Sequence, residues 1–148
     1  MSTPNKEPFD REKQHGNKRR AVIRAAGEAF RRQGYHNSSM SEIAKTLGLT
    51  KTALYYYVKS KEEILYACHM QTYERMDALV KDYGRVGGSG LDTLCALYEQ
   101  FALMLTADGA SLLADIGSLK GAYKTEVLAR RAKIERAVTR LVRRGQKD

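Results

Sequence analysis

The sequence predicts an all-α protein, and three observations carry that reading. Apolar residues recur at three and four, the spacing of a single helix face, through most of the 148 residues. Capping residues stand where those runs begin. No stretch alternates apolar and polar for long enough to make a half-buried strand, and no hairpin dipeptide is flanked by one.

Residues 1–17 hold both prolines, Pro4 and Pro8, and mix Lys6, Arg11 and Lys13 with Glu7, Asp10 and Glu12. With so little apolar content the segment is expected to be a flexible arm. Asn17 then caps a helix running to Gln33, with Val22, Ile23, Ala26 and Phe30 on one face and Gly34 as its stop. Its other face carries Lys18, Arg19, Arg20, Arg24, Arg31 and Arg32, a cationic strip.

Ser39 with Glu42, and Ser60 with Glu63, have capping-box spacing, so helices are expected just after Ser39 and Ser60. Between these signals Ile43, Ala44 and Leu47 form an apolar stripe, Gly48 supplies a tight turn, and Leu49 and Leu54 pack a second short helix onto the first. A long helix over 61–83 follows, with Ile64, Leu65, Cys68, Met76, Leu79, Val80 and Tyr83 in register, and reads as a rod between two bodies. After the loop at 85–90 (RVGGSG) come a helix over 91–106, a short one around 110–116, and an amphipathic helix over 119–144. The divisions are therefore an arm at 1–17, a head at 18–66 and a second body at 67–148.

Charge narrows the function classes. Of 26 basic and 17 acidic residues, giving +9 overall, the first 66 positions hold 13 and 7, so +6 lies in the head. A polyanion is the partner such a distribution suits. Cys68 and Cys95 form no CxxC pair, and His15, His36 and His69 lie one to a segment, so no metal site is expected and both thiols are expected to be buried and reduced. No nucleophile and base pair, paired carboxylates or phosphate loop is found, which argues against an enzyme and against a cofactor. No apolar run reaches a membrane span and residues 1–17 lack a signal-peptide core; a cytoplasmic location is expected.

Within the head, Lys51 and Thr52 open the second short helix and are the first choice for base-edge contacts, with Tyr56 next. Ala53 lets the backbone approach a duplex. Ser39 and Ser41 are placed for the phosphate edge, and Lys61 begins the rod where backbone amides already attract an anion. Three consecutive tyrosines cannot all face one way, because successive helical residues turn by about 100°. Tyr55 is expected to be the one that packs inward in part.

The order F-x-x-x-G-Y (Phe30, Gly34, Tyr35), S-M-S-E-I-A (39–44) and L-G-L-T-K-T-A-L-Y-Y-Y-V-K-S-K-E (47–62) resembles the DNA-binding domain of the tetracycline-repressor (TetR) family of bacterial regulators. The resemblance covers about residues 18–67. It implies a helix-turn-helix on double-stranded operator DNA, with Tyr55 and Tyr57 on phosphates, a helical body that binds a small effector, and a homodimer formed by the last two helices. The chain stops at Asp148, after the helix that corresponds to the family's seventh, so the dimerising pair is expected to be missing and the body truncated. Met76, Tyr98, Phe101, Met104 and Tyr123 are expected to line the effector pocket, for an apolar ligand. The expected function is a ligand-responsive regulator, a repressor released from a palindromic operator by its effector. The alternative is a non-specific or architectural nucleic-acid module, which the charge alone would support.

Overall fold

A computed structural model describes residues 8–85, 88–107 and 115–147. Among them are six α-helices and one 3-10 turn, with no strand: α1 (Pro8–Gln33), α2 (Met40–Thr46), α3 (Lys51–Tyr57), α4 (Lys61–Arg85), α5 (Gly90–Ala107), the turn at Ile116–Ser118, and α6 (Gly121–Gly145). The all-α head, rod and second body are as the sequence implies.

The arm is corrected where it is described. Residues 8–17 are not an irregular tail but the first turns of α1, which begins at Pro8 and passes through Asn17 without a break. Low apolar content is a poor guide here, because extending a helix already nucleated by a packed segment costs far less than starting one. Pro8 suits a first helical position, and Asp10 in the first turn complements the helix dipole. Residues 1–7 lie outside the described part.

In the head, α1 ends at Gly34, whose φ of 85° needs no β-carbon, and the Gly34 amide donates to the Phe30 carbonyl at 2.8 Å. Val22, Ile23, Ala26 and Phe30 are buried against Ile43, Ala44, Leu54, Val58, Ile64 and Leu65, so α1, α2, α3 and the start of α4 share one core. That core continues through Tyr73, Leu119, Val127 and Ile134 into the second body.

Within that body α4 and α6 run parallel. The Lys120 amide donates to Glu62 at 2.8 Å, the Tyr66 hydroxyl to Glu126 at 2.7 Å, Lys133 pairs with Asp77 at 3.2 Å, and Arg144 donates to the Gly88 carbonyl at 2.6 Å. Each partner lies a nearly constant distance further along the chain, which is what parallel helices in register require. Burial, then the bond to Glu126, pushes the Tyr66 phenol up to about 12. α5 starts where α6 ends, at Gly90 beside Gly145, and so runs back antiparallel toward the head. The short helix expected around 110–116 falls largely outside the described residues; of its span, Asp115 and Ile116 are described, and Ile116 opens the 3-10 turn.

Asp77 joins two helices, bonding Lys81 of α4 at 2.7 Å and Lys133 of α6. Its hydrogen bond to Lys81, and then that to Lys133, hold its carboxyl below the usual range against the effect of desolvation. A depressed folded pKa contributes stability that is present above the unfolded value and fades as pH falls through the folded one. Thermal unfolding of D77N is therefore expected at a lower temperature than wild type near neutral pH, with the gap closing below about pH 4. A gap that persists at acid pH would assign the effect to packing.

One of the two thiols differs from expectation. Cys68 is buried, and burial pushes its thiol up to about 12, whereas Cys95 is exposed on α5. Leu97 and Met104 turn into the core, and Cys95, two positions before Leu97, is carried to the opposite side.

Candidate nucleic-acid interface

The interface is built from two short helices whose ends are fixed locally. Ser39 caps α2 in a reciprocal box: its hydroxyl accepts from the Glu42 amide at 3.1 Å, and the Glu42 carboxylate accepts from the Ser39 amide at 2.9 Å. The Ser39 amide, and then the Ser39 hydroxyl donating at 3.1 Å, hold the Glu42 carboxyl below its ordinary value. Gly48, at φ 65°, turns the chain, and the Leu49 amide closes the turn on the Ala44 carbonyl at 2.9 Å. Thr50 then caps α3, its hydroxyl accepting from the Ala53 amide at 3.0 Å.

α3 has only seven residues, so one buried row must hold it. Leu54 and Val58 are fully buried and Tyr57 is half-buried beside them. The rest of the circumference, about 140° of it, carries Lys51, Thr52, Tyr55 and Tyr56, all exposed. Tyr56 is 71 % exposed, Tyr55 46 %, and Ala53 lies at the margin of the face, half-buried.

The inward tyrosine is thus Tyr57 and not Tyr55, which corrects the expectation. Both tyrosines flank the Leu54–Val58 row at about equal angles, and Tyr57 is the one on the side that meets α1, where Arg19 bonds its carbonyl and His15 its ring. The Tyr57 ring stacks on His15 of α1 at 5.2 Å, and Tyr56 meets the same imidazole edge-on at 5.0 Å.

Lys61 is not presented freely to solvent. Its ammonium donates to the Tyr35 carbonyl at 2.8 Å and lies 4.3 Å from the centre of the Tyr35 ring, so the half-buried side chain ties α4 to the α1–α2 loop. Ser41 is exposed; Ser39 is exposed too, but its hydroxyl is occupied in the cap and also donates to Glu42 at 3.1 Å. The second capping signal is altered as well. Ser60 accepts from the Glu63 amide at 3.0 Å, but the Glu63 carboxylate reaches the Lys59 amide and not that of Ser60.

Three contributors escape a reading by motif. Thr50 is the cap of α3, and its place just before Lys51 was the available signal. Arg19 leaves the cationic strip: it donates to the Tyr57 carbonyl at 3.2 Å and pairs with Glu63 at 2.9 Å, so it holds the end of α3 and the start of α4 together. His15 buttresses two tyrosines. Neither of these last two carries a local signal, because both act across long sequence separations. Lys18, Arg20, Arg24, Arg31 and Arg32 remain exposed.

In the second body a cavity of about 220 Å³ lies between α4, α5 and α6, lined only by apolar residues and tyrosine. Met76, Tyr98 and Phe101 line it, together with Leu97, Ile134 and Val138. Met104 lies in a neighbouring cleft beside Arg75 and Leu103. Tyr123 is elsewhere, stacked on Tyr66 at 4.4 Å near the head. Three of the five expected pocket residues are therefore brought together.

Residues 22–68 match the family profile described as bacterial regulatory proteins, tetR family. The fatty acid metabolism regulator protein of Bacillus subtilis is 38 % identical over 65 residues, 41 % of this chain and 34 % of that protein. The transcriptional regulator RutR of Escherichia coli is 38 % identical over 50 residues, 34 % of this chain and 24 % of that one. The chain thus matches about a quarter to a third of the length of these relatives. Among solved structures, the TetR-family regulator PfmR from Thermus thermophilus superposes with a TM-score of 0.76 at 27 % identity, over 85 % of this chain and 70 % of that one. AibR, in complex with isovaleryl coenzyme A and operator DNA, shares the fold with a TM-score of 0.68 at 23 % identity, over 78 % and 64 %. With α2, the Gly48 turn, α3 and its caps all inside the matched residues, and the same helical order continuing beyond them, residues 22–68 are a segment of the tetR family of bacterial regulatory proteins and the chain has the fold of a TetR-family regulator.

Proposed function

We propose that this chain is a ligand-responsive transcriptional repressor that binds a palindromic operator as a homodimer and is released by a small, largely apolar effector. The observation that carries the proposal is α3: its buried row fixes it to the head while Lys51, Thr52, Tyr55 and Tyr56 are exposed on one outward face. Lys51 and Thr52 lie in the first turn, the end that reaches deepest in a major groove, and a lysine there suits guanine O6 and N7. Tyr55 and Ser41 suit phosphates, and the exposed arginines of α1 add a sequence-independent attraction. Ser39 and Tyr57 would reach phosphate only beside the contacts they already make, and Lys61 would act mainly by fixing the start of α4.

Release follows from the shared core. A dimer must hold two α3 helices about one duplex turn apart, ~34 Å. α4 is buried in the head at Ile64 and Leu65 and lines the 220 Å³ cavity at Met76, Leu79 and Val80, so a ligand there acts on the same rigid helix. The turn at Ile116–Ser118 adds a second link, with Ser118 at 3.2 Å from His36 and Lys120 bonded to Glu62. AibR, with an acyl thioester and operator DNA bound, is an instance of the fold holding both kinds of partner.

Fluorescence anisotropy on duplexes from the chain's own upstream region tests the reading. Lys51→Ala is expected to cost roughly 1 to 3 kcal/mol and to flatten preference at one base position, leaving the unfolding temperature unchanged. Equal affinity of the wild type for upstream and scrambled duplexes at physiological salt would instead favour a non-specific module.

A further inference from the structure

Two polar side chains of α4 are buried with no bonding partner among the described residues. His69 is 0 % exposed and Tyr73 2 %, and among the described residues neither imidazole nitrogen nor the Tyr73 hydroxyl has a hydrogen-bond partner. Their rings lie nearly parallel at 6.4 Å, one turn apart on α4. Buried polar groups are nearly always paired, so three atoms in one place with no partner among the described residues leave room for the polar group of a ligand.

Helix geometry says where that partner continues. His69, Tyr73, Met76 and Val80 fall within about 60° of one another around α4, and the last two line the apolar cavity against Phe101 and Val138. From His69 to Val80 this stripe is about 16 Å long, polar at the head end and apolar at the other. We propose that His69 and Tyr73 form the polar end of the effector site and bind an uncharged oxygen, a hydroxyl or carbonyl, on an elongated ligand whose hydrocarbon part fills the cavity beyond Met76. This rests on the effector reading above and gives it a chemical class.

The surroundings favour a neutral group over an anion. Burial holds the His69 imidazole below its ordinary value, outweighing the nearby Asp115, and burial likewise pushes the Tyr73 phenol up. Arg131, the cation that acts on Tyr73, is paired with Glu135 at 2.8 Å, and Asp115 acts on His69, so the positive charge near the pair is already matched. A neutral imidazole and a neutral phenol each offer a donor and an acceptor, so a hydroxyl can accept from one and donate to the other, reaching one of the two imidazole nitrogens. A carboxylate would have to leave water for a site whose nearby cation already has a partner.

Calorimetric titration of the whole chain, without DNA, tests the assignment with 1-octanol against 1-chlorooctane, which keeps the length and loses the hydroxyl. Wild type is expected to bind the alcohol about tenfold more tightly, the effect of one satisfied buried bond. Tyr73→Phe and His69→Phe are expected to bring the alcohol down to the level of the chloride while unfolding, ligand-free, at the same or a higher temperature. Tyr73→Phe removes a single atom and carries the test if His69→Phe fails to fold. No alcohol binding, equal binding of both probes, or an alcohol affinity untouched by Tyr73→Phe overturns the proposal. So does a lower ligand-free unfolding temperature for Tyr73→Phe, which would mean that a structural water already satisfies the hydroxyl. Because the titration contains no DNA, it can fail while operator binding and release stand, and succeed where they do not.

Discussion

Gly90→Ala is expected to destabilise the second body by about 3 kcal/mol, read as a lower urea midpoint. A β-carbon on Gly90 would sit 2.7 Å from the Gly145 α-carbon and 2.8 Å from the Leu141 carbonyl oxygen, with the Gly145 amide closer still. These are backbone atoms of α6 and cannot rotate away. Exchanging glycine for alanine within a helix gains at most about 1 kcal/mol of propensity, and less at a first position, so the clash prevails. Gly145→Ala, whose added carbon would meet the Leu91 amide at 2.9 Å and the Gly90 carbonyl carbon at 3.2 Å, is expected to cost less. A midpoint that rises for Gly90→Ala would show that α5 and α6 do not cross there.

Leu54→Ala is the second large effect, on the order of 2 to 5 kcal/mol, because the residue is 0 % exposed and truncation leaves a cavity. It is also one of only two fully buried side chains that fix the seven residues of α3 and its cap to the head. Affinity for every duplex should therefore fall together with stability. Lys51→Ala, at an exposed position, should alter affinity alone. Circular dichroism during denaturation, run beside anisotropy, separates the two; unchanged stability of Leu54→Ala would mean that α3 is held by something other than its inner row.

Both halves of the head's logic could be read from residue order. The Ser39–Glu42 box, the Gly34 and Gly48 stops and the stripe of Ile43, Ala44 and Leu54 are signals a few residues long, and local hydrogen bonds and helical spacing decide them. The extended α1 was hidden for a related reason: nothing within residues 8–17 requires a helix, and only its continuity with a packed one supplies it.

Residue order was enough to specify an all-helical chain, a basic head and a short outward helix led by Lys51, because each depends on neighbours within a turn or two. Packing between distant helices settled which tyrosine turns inward, that Lys61 is held by Tyr35, that Arg19 clasps α3 to α4, and that Cys95 faces out while Cys68 does not. It also settled that Tyr123 stands apart from Met76, Tyr98 and Phe101, and that His69 and Tyr73 are buried with no bonding partner among the described residues. Those outcomes depend on how far each helix is rotated about its axis when it packs. That rotation is set by side chains distant along the chain, beyond the reach of any local pattern.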